Sequence, residues 1–156
     1  MEVIIEISKG SNLKYEYDTE SNKLILDRVL NNTNVFPYNY GFIPNTLSPD
    51  GDPIDIILLS KYSLIPGTYV KVKVIGIVRT VDEAGIDDKI VCVLDSKIDK
   101  EYDLVNDIEN LNANELKNIL YFLNHYKDGE DSKFVKVGEV KGKKEAFEYI
   151  NTHSLE

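Results

Sequence analysis

The constraint that any fold of this chain has to meet lies in six consecutive residues. Asp50-Gly51-Asp52-Pro53-Ile54-Asp55 places three carboxylates at the mouth of the apolar run 54–59. At ~5 Å and an effective dielectric of ~20, each pair of such charges repels by about 3 kcal/mol. A fold tolerates the cluster if the side chains splay into water, or if a cation sits between them. Asp-Gly and Asp-Pro are frequent turn formers, which favours the solvated turn. Pro53 biases Asp52 toward an extended backbone. Asp55 stands one residue inside an otherwise apolar strand, where an ionised carboxylate needs a partner. On this stretch alone both outcomes remain open.

Around it the chain lays out strands first and helices afterwards. Residues 3–7 read as a strand, Lys9-Gly10-Ser11-Asn12 as a turn, and residues 13–18 and 23–29 as the arms of a hairpin, with Lys14 and Glu16 on one face. A further turn is expected at 31–34. The aromatic stretch 36–44 carries Pro37 and Pro44, which rule out a regular helix, and residues 36, 38 and 40 are expected to point the same way. Residues 54–59 form an apolar strand. The run 68–81 alternates Val70, Val72 and Val74 against Lys71 and Lys73; an acidic loop at 82–88 leads to a strand at 89–94. Asn114 is predicted to cap a helix over 115–127 with Leu116, Ile119, Leu120 and Leu123 on one stripe. Asp128-Gly129 ends it, before a short strand at 134–137 and a short helix at 143–150. This order argues an α+β fold: a curled sheet or small barrel with a long and a short C-terminal helix packed beside it. Without repeats, low-complexity segments or linkers, residues 1–156 read as one domain.

Charge narrows the function classes. Asp and Glu number 27 against 18 Lys and Arg, a net charge of −9, which repels nucleic acid and anionic membrane and tolerates cations. Cys92 is the only cysteine and lies within an apolar strand, so neither an internal disulfide nor a thiolate metal cluster is expected. No basic leader and no apolar run of spanning length is present, and a cytoplasmic setting is expected.

An EF-hand does not account for the acidic cluster: its glycine is misplaced, Pro53 interrupts the loop, and Lys61 occupies the position of the closing Glu. Further ligands have to come from elsewhere. The second acidic junction, Asp82-Glu83-Ala84-Gly85-Ile86-Asp87-Asp88, is by itself an ordinary hairpin tip. Two such junctions, in a chain whose histidines (His125 and His153) show no ligand spacing, favour hard cations such as Mg²⁺ or Mn²⁺. Lys14, Arg28, Lys89 and Lys127, with the phenols of Tyr40 and Tyr126, are individually unremarkable surface or core residues. Gathered around bound cations they suit a substrate rich in phosphoryl oxygens. Neither a Walker loop nor a dinucleotide glycine fingerprint is present.

The chain resembles the soluble family I inorganic pyrophosphatases of short prokaryotic type. Asp50-Gly51-Asp52-Pro53-Ile54-Asp55 carries the resemblance. In the same order it is supported by Lys14-Tyr15-Glu16, Asp27-Arg28, Pro37-Tyr38-Asn39-Tyr40-Gly41, Asp82 to Lys89, Lys100-Glu101-Tyr102-Asp103 and His125-Tyr126-Lys127-Asp128. The match runs from about residue 6 to residue 137. It implies a five-stranded barrel related to the OB-fold, assembly as a homohexamer, and hydrolysis of pyrophosphate to two phosphates by a multi-Mg²⁺ mechanism in which metal-activated water attacks in line. Mn²⁺ is a possible substitute. Asp50, Asp55 and Asp87 resemble ligands of the tighter metal, with Asp55 shared with a second. Asp82, with Asp87 and with Glu6 through water, resembles the set that holds the metals arriving with substrate, and Asp52 the general base. Lys14, Arg28, Tyr40, Tyr126 and Lys127 resemble the phosphate-binding groups, with Lys89 as a supporting charge. Glu6 and Glu16 resemble partners that support the ligands. Two departures stand out: Glu6-Ile7-Ser8 where the family has Glu-Ile-Pro, and Phe36 where relatives often carry Tyr.

Two other readings compete. A catalytically silent metal- or nucleotide-binding relative is expected to have lost at least one of Asp52, Asp55, Asp87, Arg28 or Lys127, and all five are present. A single-stranded nucleic-acid-binding module needs a basic groove with stacking aromatics; residues 36–42 supply aromatics, while the net charge opposes it.

Overall fold

The computed structural model describes residues 1–30 and 34–155. Among these lie β1 (Glu2–Ile7), β2 (Leu13–Asp18), β3 (Lys23–Val29), β4 (Asn39–Phe42), β5 (Asp55–Leu59), β6 (Tyr69–Asp82), β7 (Gly85–Ile86), β8 (Lys89–Leu94), α1 (Ala113–His125), β9 (Val135–Gly142) and α2 (Lys143–Thr152). The turn expected at 31–34 falls, Asn34 excepted, outside the described residues.

β5 pairs antiparallel with β4 and parallel with β8, aligning Asp55 with Phe42 on one side and with Lys89 on the other. With neighbours on both edges, its apolar residues Ile56 to Leu59 are fully buried on both faces. The path β1-β4-β5-β8-β6 returns on itself, because β6 also pairs with β1 through Glu2↔Lys71, Val3↔Val70 and Ile4↔Tyr69. β7 and β9 extend β6, and β2 and β3 form a separate two-stranded sheet. The fold is mixed and sheet-dominated, with two helices.

The period of two along each strand sorts side chains into two cores. Ile56 and Leu58, with Ile90, Cys92 and Leu94, pack with Ala146, Tyr149 and Ile150 of α2. Ile57 and Leu59, with Val91 and Val93, pack with Ile119, Phe122 and Leu123 of α1. Each such aliphatic side chain stabilises the fold by roughly 1.5–3 kcal/mol relative to exposure. Phe36, Tyr38 and Tyr40 all pack on the α1 side, as their spacing predicts. Phe36 meets Tyr40 and Phe122 edge-on at 5.4 and 5.1 Å. Gly41 lets β4 approach β1 closely: a Cβ there would stand 2.0 Å from the Ile4 carbonyl oxygen.

Several boundaries differ from the sequence-based expectation, most at α1 and β9. α1 starts two residues earlier, because the side chain of Asn112, rather than Asn114, caps it by accepting the Asn114 N–H. It ends at His125, so Tyr126 and Lys127 leave the helix. β9 continues to Gly142 instead of stopping at 137, because an extra residue between Val137 and Val140 breaks its alternation against β6. The acidic loop is itself partly paired as β7, closing on Gly85 at φ +121°. No helix among the described residues is long and apolar enough to cross a membrane.

Candidate active site

A cleft of ≈ 330 Å³ opens where the rows facing α1 turn from apolar to charged. Asp55 precedes Ile57 and Leu59 on one face of β5, and Lys89 precedes Val91 and Val93 on β8. The parallel register sets the two side by side. Lys89, 1% exposed, reaches Asp55 Oδ2 and Asp87 Oδ2 at 2.6 Å each. Tyr40, from β4, donates its hydroxyl to the same Asp55 oxygen at 2.9 Å. Burial works against the Lys89 ammonium, but the neighbouring carboxylates, Asp55 foremost, hold it well above the ordinary lysine range.

Beside this pair the turn before β5, the end of β6 and the segment after β7 converge. One oxygen from each of Asp50, Asp82 and Asp87 lies within 4.8 Å of the others. Asp87 Oδ1 is buried without a hydrogen-bond partner. An orphaned anionic oxygen within a triangle of carboxylates fits a hard divalent cation. Burial pushes the Asp87 carboxyl up; Lys89 pulls against that, and Asp55 and Asp50 add to it. For Asp82 burial pushes the same way, but Lys127 at 3.0 Å and the Ala84 N–H at 2.8 Å outweigh it and leave the carboxyl below its usual range. Asp55 stands outside the three-oxygen group.

Asp52 lines the cleft between these acids and β2. Asp50 Oδ1 accepts the Asp52 N–H at 3.0 Å across Gly51, whose φ of +94° suits glycine. Partial burial by the cleft walls, followed by the charges of Asp50 and Asp55, raises the Asp52 carboxyl above its usual range.

The remaining expected residues form the rim. Lys14 and Glu16 project from β2, 3.4 Å apart. Lys127 bridges Asp82 and Glu83, at 3.0 and 3.1 Å. Tyr126 stacks on Phe122 at 5.2 Å. Glu6 is the extra residue of a bulge in β1, between Ile5↔Gly41 and Ile7↔Tyr40, a device that re-aims a side chain. Its Oε2 accepts the Tyr17 N–H at 2.8 Å, and burial pushes its carboxyl up to about 8.

Arg28 is the expected site residue that does not line the cleft. It lies opposite Lys14 across β2 and β3, with Nε 3.1 Å from Glu130 Oε1. Conversely, Glu83 and Lys133 line the cleft without having been singled out. Glu83 had a signal, the same acidic junction as Asp82. Lys133 had none, because only the turn after α1 brings it back.

Comparison with known proteins defines the class first. A model of the inorganic pyrophosphatase family matches residues 3–155. The inorganic pyrophosphatase of Nanoarchaeum equitans is 48% identical over 146 residues, 94% of this chain and 90% of that protein. That of Saccharolobus solfataricus is 45% identical over 135 residues, 86% of this chain and 78% of its own length. Among solved structures, an inorganic pyrophosphatase from Helicobacter pylori superposes with a TM-score of 0.95 at 42% identity, covering 98% of this chain and 90% of that one. The inorganic pyrophosphatase of Thermus thermophilus gives 0.91 at 37% identity, covering 98% and 88%. The chain is thus a hydrolase of the inorganic diphosphatase class. It belongs to the inorganic pyrophosphatase family.

Proposed function

We propose that this chain hydrolyses inorganic pyrophosphate to two phosphates with several Mg²⁺ ions per site. The observation that carries the reading is the convergence of Asp50, Asp82 and Asp87, with one oxygen of Asp87 unpaired, beside Lys14, Lys89 and Lys127 in one cleft. Asp50, Asp82 and Asp87 would hold the cations, and Asp55 would join them from β5. Cations bound there would supply Lewis-acid polarisation and a lowered water pKa. Asp52 takes the proton from the attacking water as its oxygen bonds to phosphorus and the second phosphate leaves. Its raised carboxyl pKa brings it closer to the operating pH, as a general base requires. Lys14, Arg28, Tyr40, Tyr126 and Lys127 bind and neutralise the phosphates. For Arg28 this means leaving Glu130 for the substrate. Lys89 bonds one oxygen of Asp55 and one of Asp87 and so holds both carboxylates in place, while Glu6 and Glu16 support the cleft wall.

The ring of pairings β1-β4-β5-β8-β6 supports reading the sheet as a five-stranded OB-like barrel within one domain, and the family resemblance alone is the ground for proposing assembly as a cytoplasmic homohexamer. Light scattering tests the assembly, and a stable monomer refutes it. Phosphate release tests the chemistry: it is expected with Mg²⁺, abolished by chelator, and reduced by about 10²-fold or more in Asp52→Asn. Absence of metal-dependent release from the unaltered protein overturns the proposal; a full rate in Asp52→Asn overturns the base alone.

A further inference from the structure

Of the four acidic residues in the loop 82–88, Asp82, Glu83 and Asp87 line the cleft and Asp88 does not. Strand alternation turns Asp88 to the face opposite Asp87 and Lys89, and there it is 4% exposed. A carboxylate buried away from the site needs partners, and both its oxygens have them. Oδ1 accepts the Thr80 N–H at 2.9 Å and Oδ2 accepts Arg79 Nη1 at 2.8 Å.

Those bonds alter the strand pairing beside Asp87. Thr80 accepts the Asp87 N–H at its carbonyl oxygen at 3.0 Å. In an undisturbed antiparallel pair the Thr80 N–H would return the bond to the Asp87 carbonyl. Here the Asp88 carboxylate takes that N–H, and the Thr80 hydroxyl serves the Asp87 carbonyl instead. Regular pairing stops at Val81↔Ile86 and resumes at Val78↔Lys89. The Thr80 N–H, hydroxyl and carbonyl, the Asp87 N–H and carbonyl and both Asp88 oxygens all have partners in the gap, so the split is a stable alternative to the ladder rather than a frayed end.

We infer that Asp88, clamped by Arg79 and the Thr80 N–H, is a positioning residue that splits the strand pairing so that Asp87 presents one carboxylate oxygen to the cation site and the other to Lys89. The inference rests on the proposed role of Asp87 as a metal ligand. Partners behind a ligand fix its orientation, and their loss typically weakens metal affinity 10–100-fold.

The test titrates the intact protein with Mg²⁺ alone, by calorimetry, without pyrophosphate. Asp88→Ala frees the Thr80 N–H to reclaim the Asp87 carbonyl and turn Asp87, and Mg²⁺ affinity is expected to fall by about tenfold or more. Asp88→Asn keeps an acceptor for the Thr80 N–H and is expected to bind Mg²⁺ much as the unaltered protein does. Thr80→Val removes the hydroxyl at similar volume and is expected to weaken Mg²⁺ binding even if Asp88→Ala does not fold. Thr80→Val and any folded Asp88→Ala that bind Mg²⁺ with unaltered affinity, whatever their melting temperatures, overturn the inference. Asp87→Asn separates the two claims. If it binds Mg²⁺ as well as the unaltered protein, the ligand role of Asp87 falls and this inference falls with it. If it loses the metal while Thr80→Val keeps it, the positioning role alone is wrong.

Discussion

The floor of the cleft and its rim carry the same kinds of charge but hold them differently. On the floor, Asp55 and Lys89 are neighbours because β5 and β8 pair in parallel, and the Lys89 ammonium is buried between two carboxylates at 2.6 Å. On the rim, Lys14 meets Glu16 at 3.4 Å and Asp27 at 3.9 Å, on a two-stranded sheet, and on the neighbouring strand, outside the cleft, Arg28 is tied to Glu130. Backbone pairing fixes the floor before anything binds. The Lys14 contacts on the rim are made among partly solvated side chains, which a polyanion can exchange at small cost. The difference separates two jobs: rigid placement of cation ligands, and adjustable capture of phosphate.

The comparison breaks most visibly at Lys89. Lys89→Met removes the buried cation at similar volume and leaves Asp55 and Asp87 uncompensated. Urea unfolding of the metal-free protein is expected to show a loss of about 3–5 kcal/mol. A loss no larger than that of a surface pair, about 1 kcal/mol or less, would mean that the floor is as soft as the rim.

A smaller effect comes from pH. Glu6 is pushed from 4.5 to about 8 in the folded chain by burial, and Asp87 moves in the same direction. A carboxyl raised on folding contributes stability that is fully present below its unfolded value and is lost as pH rises through its folded value. The metal-free protein should therefore lose stability between about pH 4.5 and 8. Mg²⁺ requires ionised ligands, so the rise in melting temperature that it produces should grow over the same window. Calorimetric scans with and without Mg²⁺ at pH 6 and pH 8.5 check this, and an equal Mg²⁺ effect at both would contradict it. Smallest of all is the stability effect at the rim. Lys14→Met should change unfolding free energy by less than about 1 kcal/mol, while raising KM for pyrophosphate. A stability loss as large as that of Lys89→Met would erase the distinction.

What the sequence reveals follows the same division. The apolar rows 54–59 and 89–94, the stripe of α1 and the alternation at 36, 38 and 40 depend on local periodicity, and each packs as that periodicity predicts. The acidic junctions are visible as composition, and they do converge. Not legible were the features set by partners distant in sequence: the bulge that places Glu6, the return of Lys133 to the cleft, and the engagement of Arg28 by Glu130. The start of α1 was missed for a different reason. Asn112 and Asn114 are equally good caps by residue type, and only packing chooses between them.

The sorting of β5 into two cores also governs what changes in chain length the protein can survive. Ile56 and Leu58 belong to one core, Asp55, Ile57 and Leu59 to the face of the other. A single residue inserted within the strand exchanges the two sets and swings the acid at its head away from Lys89. Substitutions within either set are ordinary losses of volume or charge, but an insertion there is a frameshift in three dimensions. An insertion is therefore expected to be ruinous within β5 or β8 and tolerated at the hairpin tip 19–22.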